Sequence, residues 1–515
     1  MQETYLIGLD FGSESARGVL IEGWTGRQVA YHVHAYRHGI MTDALPGGKR
    51  LPPGFALQSA ADYLEAAEVI LKAIGSGRDV AGIGVDFTAS SPLPALADGR
   101  PMSELEPEEP HAYVKLWKHA SAQPYAEEIN RAGGAFLNDF DGKVSGEWML
   151  AKAAQIAVEA PNLWKRSERF IEAGDWLVAR LVGREARSLD FAAYKAQYTT
   201  EGGYPAQAVP GLGRKLSEPK PVGSSAGTLA EEWRLRTAVR GAAIVAVAAI
   251  DSHVALPAVG AYAPGALVGA LGTSAAYLLL DDRKRPMPHG VEGRAFGAAL
   301  PDLWCYEAGQ AAFGDVLEWF VGTFPRSDDL AENFARYNRD AAALAPGRNR
   351  LVAIDWWNGS RAPYADKSLR GLIGGFDIST TAVDIYRALL DSICFGARSI
   401  VDLFRNGGIP VNRIVLTSGL SKHNPFLLQI MADVLGQSVH VPRIENATCV
   451  GAAIHGAVAA GVVSGFREGA NKFGAREFEV FHPDSARMAT YEEIYRRYFA
   501  LSTSSAVLQS VRACA

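Results

Sequence analysis

Tyr5-Leu-Ile-Gly-Leu-Asp10-Phe-Gly12-Ser13-Glu-Ser-Ala-Arg17-Gly-Val-Leu20 stands near the start of the chain. Ala266-Leu-Val-Gly-Ala-Leu-Gly272-Thr273-Ser274-Ala-Ala-Tyr-Leu-Leu-Leu280 repeats its pattern past the middle. Each stretch reads as an apolar strand, a Gly-hydroxyl turn and a second apolar strand. Alone, either would be an ordinary hairpin. Their recurrence roughly half a chain apart is an internal repeat of long period and points to a duplicated α/β unit. A turn of this kind exposes backbone N–H groups that can cradle phosphate oxygens. Only the first copy carries an acid, Asp10. One half would then bring a carboxylate for a metal and the other a neutral cradle.

A chain of 515 residues with 48% hydrophobic content exceeds what one core holds, so two domains are expected, with a boundary near residue 245 (1–245 and 246–515). A net charge of −5 gives no bulk attraction to nucleic acid or to an anionic membrane. The first residues show no basic segment followed by an apolar one, so no signal peptide is expected. The apolar stretches 242–250 and 448–463 read as a buried strand and a buried helix rather than membrane spans. Cys305, Cys394, Cys449 and Cys514 have no paired spacing, as in reduced, mostly buried thiols of a cytoplasmic protein.

Strands alternate with helices throughout. Ser59-Ala-Ala-Asp62 resembles a capping box ahead of a helix over 63–74 that Gly75 stops, and Ala81 to Phe87 is a buried strand ending at Asp86. Ser145 to Glu147 cap a helix to about Glu159, stopped by Pro161. The Gly/Pro/Ser-rich stretch 211–227 reads as an approach to a linker. In the second half, 242–250 is one strand buried on both faces and ending at Asp251. A long helix runs from about Asp384 to Arg405, a strand covers Arg413–Thr417, and helices cover Pro425–Leu435 and Thr448–Ala460.

No Gly-Lys-Ser/Thr and no His-Glu-x-x-His occurs, which excludes a P-loop and the commonest zinc-protease motif. His32, His34 and His38 share one face of a possible strand, and without a further ligand at metal spacing they read as a solvated face. Asp10, after a strand and beside the first turn, suits Mg²⁺ held through water, or else caps the turn. Asp251 ends an apolar strand. A partly desolvated carboxylate there can hold a raised pKa and accept a hydroxyl proton, or be a turn acid. Ser418-Gly419-Leu-Ser-Lys-His-Asn424 lets an adenine ring approach the backbone, or is a tight strand–helix turn.

Taken together these segments resemble the FGGY carbohydrate kinases of the actin-like, ribonuclease-H-like ATPase superfamily, and most of all their bacterial ribulokinase branch. The resemblance is carried from end to end by Gly8-Leu-Asp10-Phe-Gly-Ser-Glu-Ser, Gly84-Val-Asp86-Phe-Thr-Ala-Ser, Val114-Lys-Leu-Trp117-Lys118-His, Ser145-Gly-Glu-Trp148, Glu172-Ala-Gly-Asp175-Trp176, Ala192-Ala-Tyr-Lys195, Ile250-Asp251-Ser-His253, Gly272-Thr-Ser274, Tyr306-Glu307-Ala-Gly-Gln310-Ala-Ala-Phe-Gly314-Asp315, Asp355-Trp-Trp-Asn-Gly359 and Gly451-Ala-Ala453. It departs from that pattern at Ser418, at Ala192-Ala193 and in a shortened stretch between Lys195 and Asp251.

The resemblance implies an α/β fold of two ribonuclease-H-like (actin-like ATPase) domains flanking a catalytic cleft, the first for sugar and the second for nucleotide. It implies ATP and Mg²⁺, with Asp10 as the metal residue. Asp251 is the implied general base. Asp86, Ser90, Trp117, Lys118, Lys195 and Glu307 are implied around a sugar, with Thr88 bordering the same pocket. Gly12, Ser13, Gly272, Thr273 and Ser274 are implied at the ATP phosphates, and Gly314, Gly419 and Asn424 beside the nucleotide. The implied reaction is phosphorylation of a ketopentose, L-ribulose to L-ribulose 5-phosphate in arabinose catabolism, by a cytoplasmic homodimer. D-ribulose, xylulose or a pentitol such as ribitol are the alternative acceptors. A non-catalytic ATPase clamp is the alternative from another class.

Overall fold

The computed structural model describes residues 3–348, 350–417, 419 and 424–512. Two seven-stranded sheets organise it, and their central strands, a hairpin flanked by parallel strands, share one order.

The first sheet is built from β1 (Tyr5–Phe11), β2 (Ser15–Glu22), β3 (Gln28–Ala35), β4 (Val80–Phe87), β5 (Ser225–Thr228), β6 (Ile244–Ala246) and β7 (Ala249–Ile250). Its order is β5-β6-β4-β1-β2-β3, with β7 also on β4. β1 runs antiparallel to β2 and parallel to β4, β6 parallel to β4, and β5 antiparallel to β6. The second sheet is built from β8 (Ala266–Leu271), β9 (Ala275–Asp281), β10 (Gly293–Phe296), β11 (Trp304–Gln310), β12 (Arg413–Thr417), β13 (Val439–Pro442) and β14 (Phe478–Phe481). Its order is β10-β11-β9-β8-β12-β13-β14. β8 runs antiparallel to β9 and parallel to β12, β13 parallel to β12, and β14 antiparallel to β13. The hairpin β1–β2 thus has its counterpart in β8–β9, as the sequence repeat requires.

Strand apolarity follows sheet position. Leu6, Ile7, Leu9 and Phe11 of central β1 are all fully buried, so both faces are apolar. Edge strand β3 alternates half-buried and exposed residues, with His32 and His34 half-buried. Phe11 stacks on Phe87 of the neighbouring strand, with ring centroids 4.9 Å apart.

The main helices fall close to the expected positions, with local corrections. Helix α1 is Ala60–Gly75, but Ser59 makes no side-chain cap bond. Asp62 instead accepts from the His38 backbone N–H at 2.9 Å and pairs with its ring at 2.7 Å. Helix α2 starts only at Met149 and ends at Glu159, and Ser145 Oγ accepts from Glu147 N instead of capping it. The expected single strand over 242–250 breaks at Val247-Ala248 into β6 and β7. The stretch 211–227 is no linker: Leu212 and Ala226 are fully buried, and β5 closes an edge of the first sheet. Helices α3 (Leu189–Ala196) and α4 (Asp251–Ala258) follow in the first half. Helices α5 (Gly314–Thr323), α6 (Ala382–Asn406), α7 (Pro425–Leu435) and α8 (Ala447–Ala459) follow in the second. A Thr381/Asp384 capping box starts α6.

Two compact units result. One comprises Met1–Tyr262, Ala295–Cys305 and Ile444–Arg476, and the other Ala263–Arg294, Tyr306–Arg443 and Glu477–Ala515. They are not the consecutive halves 1–245 and 246–515 of the sequence reading, because α8 is bound into the first unit by close approach. A Cβ on Gly8 would sit 1.8 Å from the Cys449 carbonyl oxygen, and one on Gly84 1.7 Å from that of Ala452. Gly451 makes the matching approach to α4, 1.9 Å from the Val254 oxygen. Only glycine lets backbone lie against backbone here. Among the described residues, no helix is long and apolar enough to cross a membrane, and Cys305, Cys394 and Cys449 are buried; Cys514 lies outside the described residues.

Candidate active site

In the first unit the sheet register brings three acids to the ends of adjacent strands. Asp10 on β1 faces Asp86 on β4. Ala249 on β7 also pairs with Asp86, so Asp251 follows two residues further, at the start of α4. Asp10 is nearly buried. Its Oδ2 accepts from Thr448 Oγ1 at 2.5 Å and pairs with Arg17 Nε at 3.2 Å. Asp86 is fully buried, and neither carboxylate oxygen has a hydrogen-bond partner. Burial first, then the charges of Asp10 and Asp251, hold its pKa well above the carboxylate range. The Asp251 carboxyl is pushed up to about 6, by burial and then by Asp10, against the lowering effects of the Ser252 N–H, His253 and Lys195.

Two residues given no role from the sequence flank and hold Asp251. Asp190, fully buried in the first turn of α3, accepts from Ile250 N at 2.8 Å and pairs with His253 Nδ1 at 2.6 Å. The residues either side of Asp251 are thereby tied to the helix that carries Lys195. The Asp-Ser-His spacing hinted at this. Asp190, some sixty residues away, had no local signal.

The other first-unit candidates gather on neighbouring elements. Trp117 is 40% exposed, and its Nε1 donates to Ser13 Oγ at 2.9 Å, joining a proposed sugar residue to the first turn. Thr88, Ser90 and Ser91 are buried, and Ser90 Oγ donates to Glu172 Oε1 at 2.9 Å. Lys195 Nζ lies 5.7 Å from the ring centroids of Trp148 and of Tyr194, within cation–π range. Lys118 is exposed.

The turns differ from simple N–H cradles. Gly12 N–H closes its own turn on the Ser15 carbonyl at 3.0 Å, and Gly272 N–H does so on Ser274 at 2.9 Å. Any backbone contact to phosphate therefore falls to Ser13 and Glu14, or to Thr273 and Ser274. In the second unit Gly314 N–H donates to the Gly272 carbonyl, and the N–H groups of Phe313 and Asp315 to that of Thr273. Gly314 thus braces the turn from behind. Glu307 lies half-buried on β11. Asn424 is buried and caps α7 through Leu427 N at 3.1 Å. Gly419 is exposed, with open space where a Cβ would point. Ser418 lies outside the described residues.

The oxygen donors Asp10 and Asp86, with two buried oxygens of Asp86 unpartnered, suit a hard cation that keeps much of its water shell. Among the described residues, no group of three or more His, Cys, Asp or Glu side chains is arranged to ligate a metal directly.

Comparison with known proteins shows the family and the fold. Residues 267–460 match the C-terminal domain of the FGGY family of carbohydrate kinases. Ribulokinase from Halalkalibacterium halodurans is 38% identical, covering 97% of this chain and 95% of its own length. Ribulokinase from Mycolicibacterium smegmatis is 36% identical over 96% of this chain and 93% of its own. Among solved structures, xylulose kinase from Rhodospirillum rubrum matches with a TM-score of 0.82 at 20% identity, covering 96% of this chain and 98% of that one. Plasmodium falciparum glycerol kinase with ADP matches at 0.80 and 14% identity, over 98% of this chain and 99% of that one. At such identities these two structures speak for the fold alone.

Proposed function

The chain belongs to the FGGY family of carbohydrate kinases, and from that premise we propose that it transfers the γ-phosphoryl group of ATP to the terminal hydroxyl of L-ribulose, giving L-ribulose 5-phosphate for arabinose breakdown. Ribulose over other polyols is supported by relatives named ribulokinase at 36–38% identity along nearly the whole chain. It rests too on the family resemblance, which implies Trp117, Lys195 and Glu307 around the sugar.

The carrying observation is Asp251. A carboxyl pushed up to about 6 is ionised at neutral pH and a better proton acceptor than an ordinary aspartate. It takes the proton of the attacking hydroxyl as that oxygen closes on the γ-phosphorus and the ADP oxygen leaves. Asp190 and His253 hold its backbone still for that task. In the first unit, Asp86, Ser90, Trp117, Lys118 and Lys195 line the sugar. Trp117 supplies an apolar face, and Lys195 bonds hydroxyls. Ser13 beside Gly12, and Thr273 and Ser274 beside Gly272, receive phosphate oxygens. Gly314, Gly419 and Asn424 serve the nucleotide side. Asp10, with Asp86, would hold Mg²⁺ through water, and the ion would supply neutralisation of developing phosphoryl charge. A cytoplasmic homodimer completes the reading, checked by cell fractionation and light scattering.

The test is an ADP-release assay with D- and L-ribulose, D- and L-xylulose and ribitol, each against a no-sugar control. The expected result is sugar-dependent turnover with L-ribulose best by kcat/KM. A different best acceptor would reassign the sugar, and ATP turnover indifferent to every sugar would replace the kinase reading with an ATPase clamp.

A further inference from the structure

The first unit buries a lysine that no catalytic role accounts for. Lys152 sits in α2 with no exposed surface. Its Nζ donates to three backbone carbonyls, Ser90 at 2.7 Å, Leu116 at 2.9 Å and Lys115 at 3.3 Å. An ammonium has three N–H donors, whereas a neutral amine has two and a lone pair that would face one of these oxygens. A seat of three carbonyls therefore selects the charged form. A buried charge is costly unless compensated, and Glu172, fully buried, supplies the opposite charge.

The two charges do not touch through a direct ion pair; they grip one peptide group. Glu172 Oε2 accepts from Ser91 N at 2.7 Å, and Lys152 holds the Ser90 carbonyl. These are the two ends of the same peptide dipole. Glu172 also takes the Ser90 hydroxyl. The plane of this peptide is thus pinned between a cation at its oxygen and an anion at its N–H. The same ammonium fixes the Leu116 carbonyl, which belongs to the peptide leading into Trp117. One side chain sets the backbone of two walls assigned to the sugar.

We propose that Lys152, gripping the Ser90–Ser91 peptide together with Glu172, is a positioning residue that sets Ser90 and Trp117 for the sugar and leaves the ATP side untouched. This rests on the carbohydrate-kinase reading, and the assay uses whichever acceptor the panel shows to be turned over best, so a wrong sugar does not disturb it. Burial pulls the Lys152 pKa down from the ordinary lysine value, with the Glu172 and Glu147 charges opposing and Lys195 assisting. The nearby Lys115 amine is fully buried without a hydrogen-bond partner, and its pKa is likewise lowered, first by burial and then by Lys152. The grip is therefore complete below the lowered pKa, about 7, and lost as pH rises through it. Asp251, pushed up to about 6, is already ionised there and stays silent.

The experiment measures sugar KM and ATP KM from pH 6.5 to 9 for the wild type, Lys152→Met and Lys115→Met, with circular dichroism to confirm folding. In the wild type the sugar KM rises with pH while the ATP KM stays level. Lys152→Met raises the sugar KM about tenfold or more at pH 7 and flattens its pH dependence, with ATP KM within about twofold. Lys115→Met keeps the wild-type profile. A folded Lys152→Met with unchanged sugar KM, an equal rise for both substrates, or an alkaline rise abolished by Lys115→Met would each overturn the proposal. Should Lys152→Met not fold, Glu172→Gln takes its place. Loss of that charge moves the rise in sugar KM to lower pH, and an unmoved rise overturns the proposal.

Discussion

The β1–β2 and β8–β9 hairpins occupy the same place among the central strands of their sheets, yet the rows beside their turns are chemically opposite. Across the first sheet, paired residues read Arg17, Asp10, Asp86. Across the second they read Ala276, Ala270, Thr417. Duplication kept the backbone and let side chains diverge. The charged row suits a cation and proton transfer. The neutral row suits a turn that must receive a polyanion, where a carboxylate would repel phosphate.

The comparison breaks most visibly at Asp251, which extends the charged row. Asp251→Asn keeps the shape and removes the acceptor, so kcat should fall by about 10²–10⁴-fold while ATP binding measured by calorimetry persists. Near-normal turnover would strip the charged row of its catalytic meaning. The wild-type acid limb sharpens the same point. Below the raised pKa of about 6 the carboxyl is protonated and cannot accept, so kcat/KM should fall as pH drops through that value. A limb at the ordinary aspartate value would place the base elsewhere.

Asp10→Ala should raise the Mg²⁺ concentration for half-maximal activity by about tenfold or more, since it removes the acid held by Thr448 and Arg17. A superimposable Mg²⁺ titration would leave Asp10 a turn residue, no different in kind from Ala270. The reciprocal swap, Ala270→Asp, writes the first row's acid into the second. It should raise the ATP KM about three- to tenfold by like-charge repulsion, with sugar KM changing less. No effect on ATP would detach the second turn from the phosphates.

The smallest effect is on stability. Asp86 has a folded pKa raised well above its unfolded one, so the unfolded chain ionises first and neutral pH works against folding. The sign follows: stability of the substrate-free protein rises as pH falls between the unfolded and folded values. Asp86→Asn removes this cost at pH 7 and should raise Tm by about 1–3 °C while impairing catalysis. A lower Tm would mean that the carboxyl is better compensated than its unpartnered oxygens indicate.

Both hairpins, the strand to Asp86, the long α6 and the small-residue α8 were legible because each is a local pattern. Asp10 and Asp251 stood out because they end apolar strands beside turns. What escaped is long-range. Lys152 looks like one more polar residue on an amphipathic helix, and its three carbonyls belong to residues 36 to 62 positions away. The clamp of Asp190 on Ile250 and His253 spans 60 and 63 positions. Ser59-x-x-Asp62 misled for the converse reason: Asp62 found a partner in His38, which no local motif could announce. The polar composition of 211–227 likewise hid an edge strand, since edges admit polar residues that central strands do not.

The close seat of α8 on Gly8 and Gly84 has a consequence for biosynthesis. The strands of this sheet leave the ribosome well before the helix that completes it. Between Tyr262 and Ala447 the face lined by those glycines stays uncovered, for on the order of 10–40 s at ordinary elongation rates. Nascent chains stalled before residue 444 should therefore be protease-sensitive in β1 and β4, and chains stalled once residue 476 has cleared the exit tunnel should be protected. Equal protection in both would show that the sheet closes without its helix.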